Sequence, residues 1–339
     1  MSPADTDDAS TTPDDARVRV AVRVRPFNDR EVALDSTSCV RMADTKTTIT
    51  HPSTGQETTF TFDHSFNSND NNNNDTNKPA TQADVFQKVG HEVLESAWNG
   101  YNVCLFAYGQ TGSGKSYSMV GGTGDTNMSE SQEGIVPRVC REIFSRLTTG
   151  TNDSWSVAVT MIEIYDEKVY DLLSDDKSRP SLKVRQHPIN GPYVEGLEPI
   201  DVMSYSEIKQ LMHRGEKNRT VHSTAMNEAS SRAHTVFELH VSRVEMSDDT
   251  SETKSTHVET KSKIVLVDLA GSERADATEA TGQRLKEASA INKSLSALGN
   301  CISALAEKSS GKNKKEKLVP YRDSSLTLLL KDCLGGNSR

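Results

Sequence analysis

The stretch NVCLFAYGQTGSGKS, residues 102–116, decides the fold that we expect for this chain. Its first half is almost wholly apolar and ends in glycine, which is typical of a buried strand. Its second half, GQTGSGKS at 109–116, fits G-x-x-x-x-G-K-[ST], a loop whose backbone N–H groups surround phosphate oxygens. A strand that leads directly into such a loop and then a helix predicts an α/β nucleotide-binding fold.

Each residue type in this loop suits one part of a bound nucleoside triphosphate. Lys115 supplies positive charge, Ser116 can ligate Mg²⁺ through its hydroxyl, and the following helix offers its positive N-terminal end. A plain glycine turn between a strand and a helix is the alternative, and the apolar strand before the loop argues against it. The residues predicted to bind the phosphates are Gln110, Thr111, Gly112, Ser113, Gly114, Lys115 and Ser116.

A second apolar run, KIVLVDLAG at 263–271, supplies what such a site needs besides the loop. Asp268 ends a hydrophobic strand, and open α/β sheets bind ligands at the carboxyl ends of their strands. A carboxylate there can orient Mg²⁺ or its water ligands, and the N–H of Gly271 can approach a γ-phosphate. Many strands end in aspartate only because it favours turns, so the prediction depends on pairing Asp268 with the phosphate loop.

The composition suits a soluble globular protein of the reducing cytosol. The 339 residues carry a net charge of −9, and no apolar run approaches the roughly 18 residues of a membrane span. Residues 1–16 hold five aspartates and no basic residue, so we expect a disordered acidic tail and no secretory signal. Scattered single cysteines indicate neither a zinc site nor a disulfide framework; they are Cys39, Cys104, Cys140, Cys301 and Cys333.

We expect one domain over residues 17–339, because no internal repeat or linker interrupts it. VRVAVRVRPF at 18–27 alternates as a strand does, and VAVTMIEIY at 157–165 reads as a buried strand. Residues 82–98 place their apolar side chains along one face of a helix. The asparagine-rich stretch 66–79 predicts a flexible surface loop.

Positive charge is concentrated in the last quarter of the chain. Residues 261–339 contain 14 lysines and arginines and 9 acidic residues, whereas residues 1–260 contain 25 and 39. Four of these lysines fall within GKNKKEK at 311–317. A basic surface on an acidic body suits an acidic polymer docked on one preferred face. Nucleic acid is disfavoured as that polymer, because no RNA-binding motif with interleaved aromatic residues accompanies the lysines.

Six stretches resemble the kinesin motor domain and occur in that family's order, covering residues 17–339. The resemblance implies an α/β fold of the P-loop NTPase type, with a mixed central β-sheet flanked by helices on both faces. Residues 183–197 and the lysine-rich loop are similar to the transport kinesins of family three. The six stretches are AVRVRPFN (21–28), GYNVCLFAYGQTGSGKS (100–116), NEASSRAH (227–234), VDLAGSER (267–274), LKEASAINKSLSALGNCISAL (285–305) and PYRDSSLTLLLKDCLGGNSR (320–339).

The resemblance implies an ATPase that uses ATP/ADP and Mg²⁺. Arg23, Arg25 and Pro26 correspond to the adenine-side pocket, and Tyr117 can stack on the base. Alternatively, Arg23 and Arg25 are solvent-facing strand residues, which their alternation alone also predicts. The resemblance also places Asn227, in NEASSRAH, among the nucleotide-binding residues.

NEASSRAH resembles switch I, a segment that responds to the γ-phosphate. Ser230 would approach Mg²⁺ and the γ-phosphate, and Ser231 would contact the attacking water, because hydrolysis needs a positioned water more than a strong base. A serine-rich turn that caps a helix is the alternative. Ala233 stands where the family usually has serine, and Ser116 where it more often has threonine; we expect both differences to tune activity rather than abolish it.

DLAGSE, residues 268–273, resembles switch II. Gly271 would sense the γ-phosphate, and Glu273 would pair with Arg232 of switch I only when both loops close around ATP. The following residues 286–305 have the pattern of a long amphipathic helix, which in the family lies against the microtubule. The implied magnesium site consists of Ser116, Ser230 and Asp268.

The resemblance implies the microtubule, a polymer of α/β-tubulin, as the partner, with no nucleic acid and no direct membrane insertion. His187 and Tyr193 lie in a stretch similar to a tubulin-contacting hairpin, and a plain turn around Pro188 and Gly191 is the alternative. Arg322 resembles a tubulin contact or else caps or braces the start of a helix. The lysines predicted to face the microtubule are Lys286, Lys293, Lys308, Lys312, Lys314, Lys315 and Lys317.

The resemblance implies, as the first hypothesis, an ATP-driven microtubule motor whose ATPase is stimulated by microtubules. The second hypothesis is a kinesin-like module that grips tubulin without productive movement, and the third is a P-loop GTPase or a nucleic-acid-stimulated ATPase. The GTPase is disfavoured because NKSL at 292–295 lacks the aspartate of NKxD.

In the family a central strand, a helix and the neck linker follow the point where this chain stops, so we expect residues 1–339 alone to be poorly stable. Regions for dimerisation and cargo are expected outside this chain. The expected location is the cytoplasm, on microtubules of the cytoskeleton, with a cilium or flagellum left open.

Overall fold

The computed structural model describes residues 18–69, 78–122, 129–148, 154–176, 178–189, 191–225, 232–246, 257–273, 283–309 and 318–335. The acidic tail and most of the asparagine-rich loop predicted above therefore lie outside the described residues. The chain forms two compact units, Met1–Pro79 and Ala80–Arg339, and each is described by itself.

The first unit consists of β1 (Ala21–Val24), α1 (Asp29–Ala33), β2 (Val40–Ala43), β3 (Lys46–Thr50), β4 (Glu57–Thr61) and β5 (His64–Asn67). β1 and β5 pair in parallel, while β2, β3 and β4 form an antiparallel sheet. The alternating stretch 18–27 is a strand over its middle part only, and it ends before Pro26, which has no N–H for a ladder. α1 begins with a capping box, in which Asn28 accepts from Glu31 N at 2.8 Å and Glu31 accepts from Asn28 N at 2.9 Å.

The second unit is built on a mixed sheet. Its strands are β6 (Val103–Ala107), β7 (Ser154–Tyr165), β8 (Lys168–Asp171), β9 (Lys183–His187), β10 (Gly191–Glu195), β11 (Ile200–Val202), β12 (His234–Met246) and β13 (His257–Asp268). The sheet runs β11-β7-β12-β13-β6, with β8 paired to β7, and β9 and β10 form a separate hairpin. β13 and β6 are parallel, whereas the other pairs in this sheet are antiparallel. The predicted mixed central sheet is therefore confirmed.

The helices of this unit are α2 (Gln82–Val85), α3 (His91–Trp98), α4 (Lys115–Met119), α5 (Ile135–Thr148), α6 (Tyr205–Ala225), α7 (Gln283–Ser309), α8 (Ser325–Leu329) and α9 (Lys331–Gly335). A π-helical turn, Phe86–Gly90, joins α2 to α3, so residues 82–98 are one helix, as their apolar face predicted. A Cβ at Gly90 would overlap the Phe86 ring, which explains glycine at this wide turn. In the ranges described above, no helix combines the length and apolarity needed to cross a bilayer.

Helices cover both faces of the central sheet. Val236 of β12 belongs to a buried cluster with Leu298 of α7 and with residues of α8. Its neighbour Phe237 points the other way and lines a small cavity with Val136 of α5 and Met212 of α6. Each fully buried side chain of this size contributes about 1.5–3 kcal/mol. The two-sided burial explains why these strands read as continuous apolar runs.

Candidate functional site

The loop 108–114 leaves β6 and enters α4 through a turn that favours glycine. Gly109, Gly112 and Gly114 have φ of 152°, 77° and 90°, a region that side chains with a Cβ rarely adopt. At Gly109, a Cβ would also lie 2.7 Å from Oγ of Ser113. The glycines of the motif are therefore required by the path of the backbone.

Lys115 begins α4 and folds back across the loop. Its Nζ donates to the carbonyl oxygens of Gly109 at 2.8 Å and Gln110 at 2.9 Å. Burial lowers the pKa of Lys115, while the nearby carboxylates of Asp268 and Glu273 act to raise it. The ammonium is thus held inside the loop, in the position from which it can reach a phosphate.

The carboxyl end of β13 meets the start of α4 at Asp268 and Ser116. Asp268 lies opposite Ala107 in the parallel pair of β13 and β6, which places it beside the loop that follows β6. Oγ of Ser116 donates to Oδ2 of Asp268 at 2.5 Å, while Oδ1 is buried without a hydrogen-bond partner in the described part of the chain. Burial raises the pKa of Asp268, against the Ser116 bond and the charges of Arg219 and Lys115. A carboxylate oxygen left open beside a hydroxyl is a donor set that fits Mg²⁺.

Residues 269–273 run from β13 across the phosphate loop. Ser272 N donates to the carbonyl of Gly109 at 3.1 Å. Glu273 accepts from Thr111 N at 2.8 Å and from Thr111 Oγ1 at 2.5 Å. Partial burial acts to raise the pKa of Glu273, but these two bonds lower it below its usual value. A Cβ at Gly271 would overlap the Glu273 carboxylate and the Thr111 hydroxyl, so glycine is needed for this contact.

Arg232 and Glu273, the predicted pair between the two switches, have other partners in this structure. Nη1 of Arg232 lies 2.8 Å from Oε2 of Glu287 on α7, whose side chain is buried. Glu273 is bound by Thr111 instead. Because the pair is expected only when both loops close around ATP, it stays a prediction. The structure identifies the two contacts that must break before the pair can form.

A buried histidine, to which the sequence pattern assigned no role, connects three segments of the site. His234 begins β12 and is 3% exposed. Its Nδ1 accepts from Ala270 N at 3.0 Å, and its Nε2 lies 2.8 Å from Oγ of Ser294 on α7. Burial, together with the charge of Lys115, lowers the pKa of His234 to about 4, so the ring is neutral at physiological pH. Its position at the end of NEASSRAH is the only sequence signal that could have indicated it.

Arg219 of α6 is a second residue that no motif indicated. It pairs with Glu216 at 2.9 Å and donates to Oγ1 of Thr235 at 3.3 Å. Its charge also favours the ionised forms of Asp268 and of Glu163. Burial nevertheless raises the pKa of Glu163 to about 7.

The residues predicted for the adenine-side pocket lie in the first unit, apart from Tyr117. Arg25 makes two bonds of 2.7 Å to the Glu31 carboxylate, and Nε of Arg23 donates to Oγ of Ser68 at 3.0 Å. Both arginines are half-buried rather than fully solvent-facing. Tyr117 is 43% exposed on α4. The role of these residues and of Pro26 in binding adenine stays a prediction.

Several predicted residues lie outside the described part of the chain. They are Asn227, Ser230 and Ser231 of switch I, and Lys312, Lys314, Lys315 and Lys317 of the lysine-rich loop. The side chain of Lys286 is also outside it.

The predicted microtubule contacts lie on elements that share one face of the sheet. Val194 of β10, Leu298 of α7 and Leu326 of α8 belong to the same buried cluster, so the hairpin and these two helices are neighbours. Tyr193, on the hairpin, is 46% exposed. The other exposed residues of this predicted surface are His187, Lys293, Lys308 and Arg322.

Two alternatives for this face can be compared with the geometry. Nδ1 of His187 accepts from Ile189 N at 3.2 Å, and Gly191 has a φ of 75°, as a plain turn requires. The start of α8 is capped by Ser324, which accepts from Thr327 N at 3.1 Å. Capping of α8 therefore does not explain Arg322. The tubulin contacts of His187, Tyr193 and Arg322 stay predictions.

The sequence matches one protein family over most of its length. Residues 23–339 match the model of the kinesin motor domain. The chain is 51% identical over 333 residues to Kinesin-like protein KIF1A of Rattus norvegicus and 49% identical over 336 residues to Kinesin-like protein KIF13B of Homo sapiens. These alignments cover 96% of this chain but 19% and 18% of the relatives, so the chain spans about a fifth of their length. The predicted similarity to transport kinesins is confirmed.

Solved structures of KIF14 are similar in both fold and sequence. KIF14 with ADP in complex with a microtubule has a TM-score of 0.80 and 41% identity, over 95% of this chain and 86% of that chain. A KIF14 dimer in a two-heads-bound state, with AMP-PNP and in complex with a microtubule, has a TM-score of 0.81 and 41% identity, over 96% and 86%. The likeness at 41% identity therefore covers sequence as well as fold.

Proposed function

This chain belongs to the kinesin motor domain family, and we propose that it hydrolyses ATP and uses its nucleotide state to control its binding to, and movement along, microtubules. The observation that carries the proposal is the meeting of Asp268 with Ser116 beside the phosphate loop. The KIF14 structures with ADP or AMP-PNP on a microtubule support the choice of nucleotide and polymer.

The phosphates would lie in the loop 109–116, where the Lys115 ammonium already faces inward. Ser116, Asp268 and Ser230 would hold Mg²⁺, which when bound neutralises charge on the β- and γ-phosphate oxygens. Ser231 would orient the attacking water. These roles suit a hydrolysis that depends on positioning and charge neutralisation.

Entry of ATP requires a change at Thr111. Its backbone N–H belongs to the phosphate loop and donates to the Glu273 carboxylate in this structure. A phosphate oxygen competes with Glu273 for the same donor, because both are anionic acceptors. Glu273 released in this way is free to bind Arg232.

Arg232 must in turn leave Glu287 of α7 before it can pair with Glu273. The exchange frees one anionic side chain on α7, the helix that carries Lys293 and Lys308. Phosphate occupancy is thereby linked to the helix predicted to lie on the microtubule.

Turnover of ATP with and without stabilised microtubules tests the proposal. We expect microtubules to accelerate turnover, and Asp268→Asn to lower the accelerated rate by at least about tenfold, because it removes an anionic ligand of Mg²⁺. Asp201→Asn, at an exposed position of β11, is the matched control. Microtubule binding without acceleration would favour the nucleotide-regulated binding module, and absence of ATP turnover with either sample would refute the enzyme.

Association with the cytoskeleton follows from the family. We propose cytoplasmic microtubules as the site, and imaging of the tagged protein distinguishes them from those of a cilium or flagellum.

A further inference from the structure

Three polar groups form a continuous buried chain from the switch II backbone to α7. Ala270 N donates to Nδ1 of His234 at 3.0 Å. Nε2 of His234 lies 2.8 Å from Oγ of Ser294, and this hydroxyl lies 2.8 Å from the carbonyl oxygen of Ile291. His234 and Ser294 are 3% and 2% exposed, so water does not compete for these bonds.

The direction of each bond in this chain follows from the groups themselves. A backbone N–H only donates, so Nδ1 of His234 carries no proton. The buried ring is neutral, so its single proton lies on Nε2 and is donated to Ser294. The hydroxyl of Ser294 accepts this proton and donates its own to Ile291. Each N–H and O–H of this chain then has an acceptor, and the imidazole has one tautomer that satisfies both of its neighbours.

The segment that enters β12 contacts α7 at two points. Arg232 pairs with Glu287, and His234 bonds to Ser294, seven residues or about two turns further along the helix. Arg232, in the turn before β12, and His234, at the start of β12, therefore bind one face of α7. The ion pair of Arg232 with Glu287 must break when switch I closes. The hydrogen bond of His234 to Ser294 is instead enclosed by the core.

We propose that His234 is a positioning residue, which transmits the position of the switch II backbone to α7 through its bond to Ser294. The inference rests on the proposed function. Ala270 precedes Gly271, whose N–H is predicted to approach the γ-phosphate, so a shift of this backbone moves the imidazole. The imidazole moves Ser294, because both ring nitrogens are bonded and the side chain has little freedom to adjust. His234 therefore couples the nucleotide to microtubule affinity without touching either.

Ser294→Ala tests the coupling, since it removes the acceptor for Nε2 and leaves the catalytic residues in place. We would measure the microtubule dissociation constant in ADP and in AMP-PNP by co-sedimentation. The ratio of the two constants is expected to fall by about three- to tenfold, the typical effect of one buried hydrogen bond. Ser296→Ala, exposed on the same helix, should keep the wild-type ratio. Thermal melts of both variants verify that they are folded.

A spectroscopic measurement tests the hydrogen-bond chain without microtubules. In protein labelled with ¹⁵N-histidine, the ring signals of His234 are those absent from His234→Gln. We expect a neutral ring protonated at Nε2 at pH 7, with faster exchange of that proton in Ser294→Ala. A charged ring, or one protonated at Nδ1, would overturn the proposal.

The two measurements separate the outcomes. If wild-type protein binds microtubules equally in ADP and AMP-PNP, the proposed function fails and the coupling fails with it. If the wild-type constants differ and Ser294→Ala preserves their ratio, the coupling alone is overturned.

Discussion

The two oxygens of the Asp268 carboxylate have different surroundings, and this difference defines what the residue can bind. Oδ2 accepts from Ser116, whereas Oδ1 is buried and has no partner in the described residues. A buried acceptor without a partner costs about 1–3 kcal/mol, so a cation that binds Oδ1 recovers this energy. Binding of a cation at Oδ1 is therefore favoured by the arrangement of the site.

Glu163 shows the opposite outcome for a buried carboxyl group. It lies on β7, is 2% exposed, and has its pKa raised to about 7 by burial, against the charges of Arg219 and Arg179. The unfolded chain releases this proton near pH 4.5, the ordinary value for glutamate, whereas the folded protein keeps it to about pH 7. The contribution of Glu163 to stability is thus present at low pH and is lost as pH rises through 7.

Glu163→Gln removes this titration while keeping the shape of the side chain. Relative to wild type, we expect the free energy of unfolding of the variant to increase with pH, by roughly 2–3 kcal/mol between pH 5 and pH 8. Urea unfolding at pH 5, 6.5 and 8 measures the difference. Glu198→Gln, an exposed position, should show none of it, and a difference that is constant with pH would contradict the assignment.

At the scale of elements, α7 is the helix on which the contacts of the site converge. Glu287 of α7 forms an ion pair with Arg232, and Ser294 of α7 is hydrogen-bonded to His234. Leu298 packs the helix on the sheet. The 27 residues of α7 span about 40 Å, so a small rotation at one end displaces the other end appreciably. A structural change at the phosphate loop can therefore move the exposed face of α7.

Glu287→Gln should favour the closed arrangement of the switches. The change removes the negative charge that holds Arg232, so Arg232 becomes available to Glu273 at a smaller cost. We expect turnover of ATP without microtubules to rise by about threefold, the effect of weakening one charged hydrogen bond. Glu307→Gln, near the other end of α7, controls for the loss of charge. A fall in turnover would show that Glu287 supports catalysis rather than restrains it.

For the whole molecule, the uneven distribution of charge favours one orientation on an acidic polymer. The last quarter of the chain is basic, although the complete chain carries −9. α7, α8 and the β9–β10 hairpin lie on the same face of the sheet, and α7 exposes Lys293 and Lys308 there. Attraction between exposed charges is screened beyond about 8 Å at 0.15 M salt, so it guides docking more than it fixes the bound geometry.

Replacing Lys312, Lys314, Lys315 and Lys317 together with alanine tests this attraction. We expect microtubule affinity to fall several-fold at low salt and by less at 0.15 M salt, because screening already weakens the wild-type attraction there. Co-sedimentation over a salt series measures both. The double variant of Lys209 and Lys217, exposed on α6, should bind like wild type. If affinity is unchanged at every salt concentration, the loop is a solvated connector.

The local features of this protein follow from patterns in its sequence. The phosphate loop is recognised from Gly109, Gly114, Lys115 and Ser116, because a left-handed backbone and an anion site both restrict residue type at fixed spacing. The strands 157–165 and 263–268 are recognised as apolar runs, because both of their faces are buried. Their lengths were underestimated, since β7 and β13 continue into more polar residues outside the core.

Contacts between distant residues were decided only by the tertiary structure. Glu273 meets Thr111, 162 residues away, and His234 meets Ser294, 60 residues away. No spacing in the sequence predicts such a pair, because it depends on which strands align and which helix face packs against them. The phosphate loop, Asp268 and the family are therefore evident from the residues alone, whereas the partners of Glu273, Arg232 and His234 result from packing that brings separate segments within hydrogen-bond distance.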